Sequence, residues 1–166
     1  MQRIEKIMDL KDEKGGKIKE VPKAYEFDIE FENVSFKYPD SENYVFKDFN
    51  LKIKKGEKIL IVGQNGTGKS TLVKLILGYY KPQNGNVRLF GIDVSKWNLK
   101  YLRKQIAIVD QEHYVFPGDV KENIRYGNYE EVNKQNLEKI LKVTKLDEFM
   151  ESVRLIGENG IGLSGG

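Results

Sequence analysis

Gly63-Gln64-Asn65-Gly66-Thr67-Gly68-Lys69-Ser70 is the stretch that decides the fold. It has the form GxxxxGK[ST], a loop whose parts share the task of holding a nucleoside triphosphate and its Mg²⁺. Glycines let backbone N–H groups crowd around phosphate oxygens, the lysine reaches the β- and γ-phosphates, and the hydroxyl, here that of Ser70, ligates the metal. The pattern carries this meaning only between a strand and a helix. Ile59-Leu60-Ile61-Val62 predicts a short strand covered on both faces. Leu72, Val73, Leu75, Ile76 and Leu77 predict a largely buried helix after Lys69, with Gly78 near its C-terminal end. Strand, loop and helix together set unpaired N–H groups and the positive end of the helix dipole against the phosphates.

The flanks are read by the same rules. Tyr25 to Tyr38 alternates, first through Phe27, Ile29 and Phe31, then through Val34, Phe36 and Tyr38, and the change of parity near Asn33 predicts a bulge. Phe49, Leu51 and Ile53 predict a second alternating strand, and Lys54-Lys55-Gly56-Glu57 a turn. A further turn at residues 81–86 leads into a strand from Val87 to Phe90. Trp97 to Lys104 reads as helix, and Ile106 to Val109 as a short buried strand. Leu137, Ile140 and Leu141 share a helix face, and Leu146, Phe149 and Met150 open another helical stretch. Antiparallel strands in front and αβ alternation behind predict a mixed α/β domain.

Composition narrows the class. The 166 residues suffice for one domain with a core of its own. Lys and Arg number 28 against 25 Asp and Glu, a net charge of +3 that by itself argues neither for nor against nucleic acid; no basic tract stands out, and no nucleic-acid partner is assigned. There is no cysteine, which excludes disulfides and thiolate chemistry. No apolar run reaches the ~18 to 20 residues that span a bilayer. Residues 1–22 stand apart: Ile4, Ile7 and Met8 mark a short amphipathic helix, and a charged, glycine-containing stretch after it reads as a linker to the domain at 23–166. A packed helix on a tether and a loose terminus both fit this stretch.

In this order the motifs resemble the nucleotide-binding domain of ABC transporters, particularly the exporter type. Phe36-Lys37-Tyr38-Pro39 resembles that family's adenine-stacking loop, and Val109-Asp110-Gln111 its glutamine loop. Residues 116–124 are similar to the segment following that glutamine in exporters. Gly157-Glu158-Asn159-Gly160 and Leu163-Ser164-Gly165-Gly166 resemble the approach to the signature motif and the motif itself. The segment between Phe149 and Gly157 is shorter than the exporter pattern.

The resemblance implies a P-loop NTPase-like core with an antiparallel β subdomain and a helical subdomain, incomplete at the C-terminus. It implies ATP and Mg²⁺ as ligands, with nucleotide bound by Tyr38, Gly63, Gln64, Asn65, Gly66, Thr67, Gly68, Lys69, Ser70, Thr71 and Gln111. Ser70 and Gln111 would face the metal. Leu163 to Gly166 would meet the nucleotide of a second such domain, and transmembrane domains would complete a parent that exports at the cytoplasmic face of the membrane. His113 does not occupy the family's catalytic histidine position, and Trp97 is expected to pack rather than to touch ligand. The metal-binding aspartate, the catalytic glutamate and the switch histidine follow the signature in this family. The chain ends at Gly166, so it reads as part of a longer protein and no catalytic residue is assigned within it. Alone it is expected to bind ATP without turnover. It is also expected to form no ATP-sandwiched dimer, its terminal carboxylate repelling phosphate, and to be marginally stable through an unpaired sheet edge. A soluble ATPase of the same family, or a module in which nucleotide serves only the fold, are the alternatives.

Overall fold

A computed structural model describes Glu13 and residues 15–109, 114–126 and 133–147. The chain divides into two compact units, residues 1–107 and 108–166. The first is built on a four-stranded antiparallel sheet in the order β2-β1-β3-β4. Its strands are β1 (Phe27–Phe36), β2 (Phe46–Lys54), β3 (Asn84–Leu89) and β4 (Ile92–Asp93).

The alternation of apolar residues sets the register. Ile29 faces Ile53 and Phe31 faces Leu51 on one side, while Ile29 faces Leu89 and Phe31 faces Val87 on the other. The pairing of β1 with β2 shifts between Phe31 and Val34, and Asn33 adopts φ 48°, which is the bulge expected from the change of parity. The Asn33 N–H donates to Asn50 Oδ1 at 2.9 Å, so the kinked backbone stays hydrogen-bonded. β3 begins three residues before the expected Val87, because Gly85 at φ 78° lies directly against the β1 backbone at Glu32 and Asn33, where no side chain fits.

Helix α1 (Lys69–Ile76) lays Thr71, Leu72 and Leu75 onto this sheet. Leu72 and Leu75 join Phe31, Val34, Phe36, Phe46, Val87 and Leu89 in one core. Gly78, at φ 69°, follows the helix as expected of a left-handed stop. Trp97 is fully buried, stacks on Tyr101 and donates to the Ile92 carbonyl at 3.3 Å, which makes it a packing residue. Helix α2 (Leu99–Lys104) starts two residues after Trp97, because Asn98 caps it by accepting from the Tyr101 N–H at 3.0 Å.

Two expected strands do not form. Ile59–Val62 and Ile106–Val109 carry no strand pairing, and Leu60, Val62 and Val109 are 86%, 79% and 89% exposed. Both were expected to be covered. A parallel strand needs a neighbour for its N–H and C=O groups, and among the described residues neither segment pairs with any strand. β-branched composition supplies propensity without supplying that partner.

Part of the stretch before the domain is docked. The Gly16 N–H donates to the Trp97 carbonyl at 2.7 Å, Ile18 N–H to the Lys96 carbonyl at 3.1 Å, and Asn98 N–H to the Ile18 carbonyl at 2.9 Å, a single parallel bridge. Glu13 takes a two-pronged salt bridge from Arg103, at 2.6 and 2.7 Å. Arg103 Nε in turn donates to the Leu77 carbonyl at the end of α1, and its guanidinium lies over the Tyr79 ring. The hydrogen bonds from Arg103 hold the Glu13 carboxyl below the usual carboxylate range. A lowered carboxyl pKa stabilises the fold above the ordinary glutamate value, and that contribution is lost as pH falls through the lowered one. Glu13 is half exposed, so screening holds the effect to about 1 kcal/mol or less. Amide exchange at Gly16 and Ile18, taken relative to its intrinsic rate at each pH, is therefore expected to become faster as pH falls from the ordinary glutamate range through the lowered value of Glu13. In Glu13→Gln it should be faster at neutral pH and respond less to acid; identical exchange profiles for the two proteins would refute this latch.

The second unit contributes α3 (Val120–Arg125) and α4 (Lys134–Thr144). Asp119 and Glu122 form a reciprocal capping box on α3. On α4 Leu137 and Leu141 are buried, while Ile140 is 46% exposed, at the edge of their shared face. The amphipathic stretch at residues 1–10, the helical stretch around Phe149 and Met150, and the shortened segment before Gly157 lie outside the described residues.

Candidate functional site: a phosphate loop beside an aromatic platform

The loop from Gly63 to Ser70 leaves the exposed Val62 and closes onto the first turn of α1. Two of its glycines are there for their backbone. Gly66 takes φ 84° and Gly68 φ 96°, in the left-handed region that favours glycine. Gly68 is also the N-cap of α1, and it offers no side-chain cap to the helix. The first N–H groups of α1 therefore remain open to an external acceptor, with no acidic residue in that turn to compete.

Lys69 folds back over the loop. Its Nζ donates to the carbonyls of Gly63 and Gln64, both at 2.7 Å, which holds the ammonium against the loop it serves. Thr67 Oγ1 donates to the Gln64 carbonyl at 2.9 Å, so Gln64 ties the loop from two sides. Ser70 is exposed, and Thr71 is buried at 4%.

Tyr38 is brought to this loop from the far end of β1. Its hydroxyl shares a 3.0 Å hydrogen bond with Thr71 Oγ1. Phe36 and Tyr80 hold the ring by edge contacts, with centroids 5.1 and 5.2 Å away, each such pair contributing about 0.5–1.5 kcal/mol. Tyr38, Asn65, Gly66, Gly68, Lys69, Ser70 and Thr71 line one cavity of about 330 Å³, together with Val45, which the sequence did not single out. Val45 reaches it because its N–H donates to the Phe36 carbonyl at 2.8 Å, placing the start of β2 beside the loop. A cleft of similar size at the other end of α1, between Tyr79, Tyr80 and Leu99, contains no part of the motif.

Seven of the expected nucleotide residues thus meet around one space, while Gly63, Gln64 and Thr67 shape the loop behind it. The remaining expected site residues, Gln111 and Leu163 to Gly166, lie outside the described residues, as does His113. The cradle suits a triphosphate: open helix N–H groups, left-handed glycines, an ammonium and a serine hydroxyl converge, and a flat ring stands at the other end.

Residues 46–166 match the family described as ABC transporter. The chain belongs to the ABC transporter family. Among curated relatives, the ATP-dependent lipid A-core flippase of Alkalilimnicola ehrlichii is 39% identical over 143 aligned residues, covering 83% of this chain and 24% of the flippase. The flippase of the same name from Pectobacterium atrosepticum is 34% identical over 170 residues, covering 99% and 29%. ABC transporter B family member 21 of Arabidopsis thaliana is 39% identical over 145 residues, covering 84% and 11%. This ABC domain therefore spans less than a third of these relatives' lengths. The fold matches that of a bacterial Atm1-family ABC exporter solved with ATP bound, at a TM-score of 0.80 and 24% identity, over 99% of this chain and 30% of that one. These likenesses support an exporter-type ATP-binding domain. No helix among the described residues is long and apolar enough to cross a membrane.

Proposed function

We propose that this chain is the ATP-binding part of a membrane exporter, holding MgATP between the Gly63–Ser70 loop and the Tyr38 ring. The observation that carries the reading is the Tyr38–Thr71 hydrogen bond. It fastens the aromatic platform to the residue following the phosphate loop, so base and phosphate contacts belong to one site. In this reading Lys69 and the α1 N–H groups neutralise the phosphates, Ser70 supplies a hydroxyl for Mg²⁺, and Tyr38 stacks on the base. Gln111 would complete the metal and water contacts, and Leu163 to Gly166 would face the nucleotide of a second domain. The named relatives include lipid A-core flippases, and a parent that couples ATP to movement of a substrate across the membrane, with the domain on the cytoplasmic side, follows from that likeness.

Calorimetric titration with MgATP tests the site; absence of saturable binding would overturn the reading. Replacing Tyr38 with alanine is expected to weaken ATP by about 1–3 kcal/mol, the scale of base–aromatic stacking. Because every base presents a π-face, ATP and GTP should lose affinity in parallel. A loss confined to one of them would show that Tyr38 reads the base by hydrogen bonding instead.

A further inference from the structure

The strap formed by Glu13 and residues 15–18 reaches the same helix that carries the phosphate loop. Glu13 holds the Arg103 guanidinium by two hydrogen bonds, at 2.6 and 2.7 Å. The same side chain also reaches α1, where Arg103 Nε donates at 3.0 Å to the carbonyl of Leu77, the C-cap of the helix. A cation at that place complements the negative end of the helix dipole. The opposite end of α1 is Gly68, beside the open N–H groups of the phosphate cradle. α1 has eight residues, which makes it roughly 12 Å long, and a helix this short depends on outside contacts to stay formed. Strap and nucleotide site therefore sit at opposite ends of one short element.

The strap itself can open without the domain unfolding. Its hold consists of the Gly16 and Ile18 backbone bonds to residues 96–98, the Ile18 side chain against the core, and a half-exposed ion pair. Segments held by so few contacts open locally. When this one opens, Arg103 loses the carboxylate that orients its fork, and its bond to the Leu77 carbonyl loosens with it. We infer that strap docking and nucleotide binding are positively coupled through Arg103 and α1, so that a pull on the chain ahead of Glu13 weakens the grip on the phosphates. The inference rests on the nucleotide-site reading above. Coupling of this kind is reciprocal: nucleotide must tighten the strap by the same factor by which the docked strap tightens nucleotide.

Two measurements on the full chain decide the matter: amide exchange at Gly16 and Ile18 with and without saturating MgATP, and calorimetric titration with MgATP. The proteins compared are wild type, Glu13→Gln and Gly16→Ala. A Cβ at position 16 would overlap the Lys96 backbone, so Gly16→Ala releases the strap at a point that touches neither Arg103 nor α1. MgATP should slow strap exchange in wild type by about fivefold, the lower end of ordinary couplings, and Gly16→Ala should lose MgATP affinity by a similar factor. Glu13→Gln keeps the backbone bridge and should lose less. Strap exchange that ignores MgATP, or a variant with a fast-exchanging strap and wild-type affinity, overturns the coupling and leaves the site reading standing. Failure of wild type to bind MgATP overturns the site reading and this inference with it.

Discussion

Lys69→Ala is expected to remove measurable ATP binding while leaving the fold in place. Two separate losses add in this substitution. The first is the counter-charge for the β- and γ-phosphates. Truncating one member of a hydrogen-bonded charge pair costs about 2–5 kcal/mol, and at ~1.4 kcal/mol per tenfold this pushes affinity down by ~30-fold to several thousand-fold. The second is the clamp on the loop itself, because Lys69 Nζ bridges the Gly63 and Gln64 carbonyls. Without it those carbonyls have no cation between them and an approaching phosphate. The core contacts of α1 run through Leu72 and Leu75, so the thermal midpoint should move little. Calorimetry on the variant checks the first expectation and a melting curve the second. An ATP affinity equal to that of wild type would refute the assignment of the loop.

What could be read from the chain depended on how local the cause was. The bulge at Asn33 was legible because strand side chains alternate with period two, so a single extra residue inverts the pattern on its far side. The phosphate loop was legible because each of its residues acts within one turn of the next. The strap across Trp97 was not, since Gly16 is required by the backbone of Lys96 and Glu13 by a guanidinium ninety positions later. A Gly-Gly pair beside charged residues looks like a tether until its tertiary neighbour is known. Ile59–Val62 failed for the converse reason: its composition speaks for a strand, but strand formation belongs to a pair of segments and not to one. Val45 carried no local mark. An apolar residue at a strand start is ordinary in sequence, and only the placement of Tyr38 and the phosphate loop gives it a site to serve.

Gly68→Ala is expected to damage both stability and binding, and it tests how the loop is seated on the sheet. Gly68 holds φ 96°, where an L side chain is strained, at about 1–2 kcal/mol. A Cβ at this position would also stand 2.8 Å from the Phe46 ring and from Val45 Cγ1. Neither neighbour can give way easily. Phe46 is buried in the core and stacked on Phe49 at 4.8 Å, and Val45 is held by its backbone bond to Phe36. Overpacking of this kind adds about 1–3 kcal/mol. If the protein relieves the strain by moving the loop, the first N–H groups of α1 turn away from the phosphates and ATP binding is lost. If it relieves the strain by moving β2, the binding geometry survives at the expense of the core. Denaturant unfolding together with ATP titration separates the two responses. Gly66 offers the control: it has a comparable φ of 84° but nothing within 4 Å of its virtual Cβ. Gly66→Ala should therefore incur the backbone strain alone and destabilise less than Gly68→Ala. Equal destabilisation by the two substitutions would mean that the contact with Phe46 and Val45 does not constrain the loop.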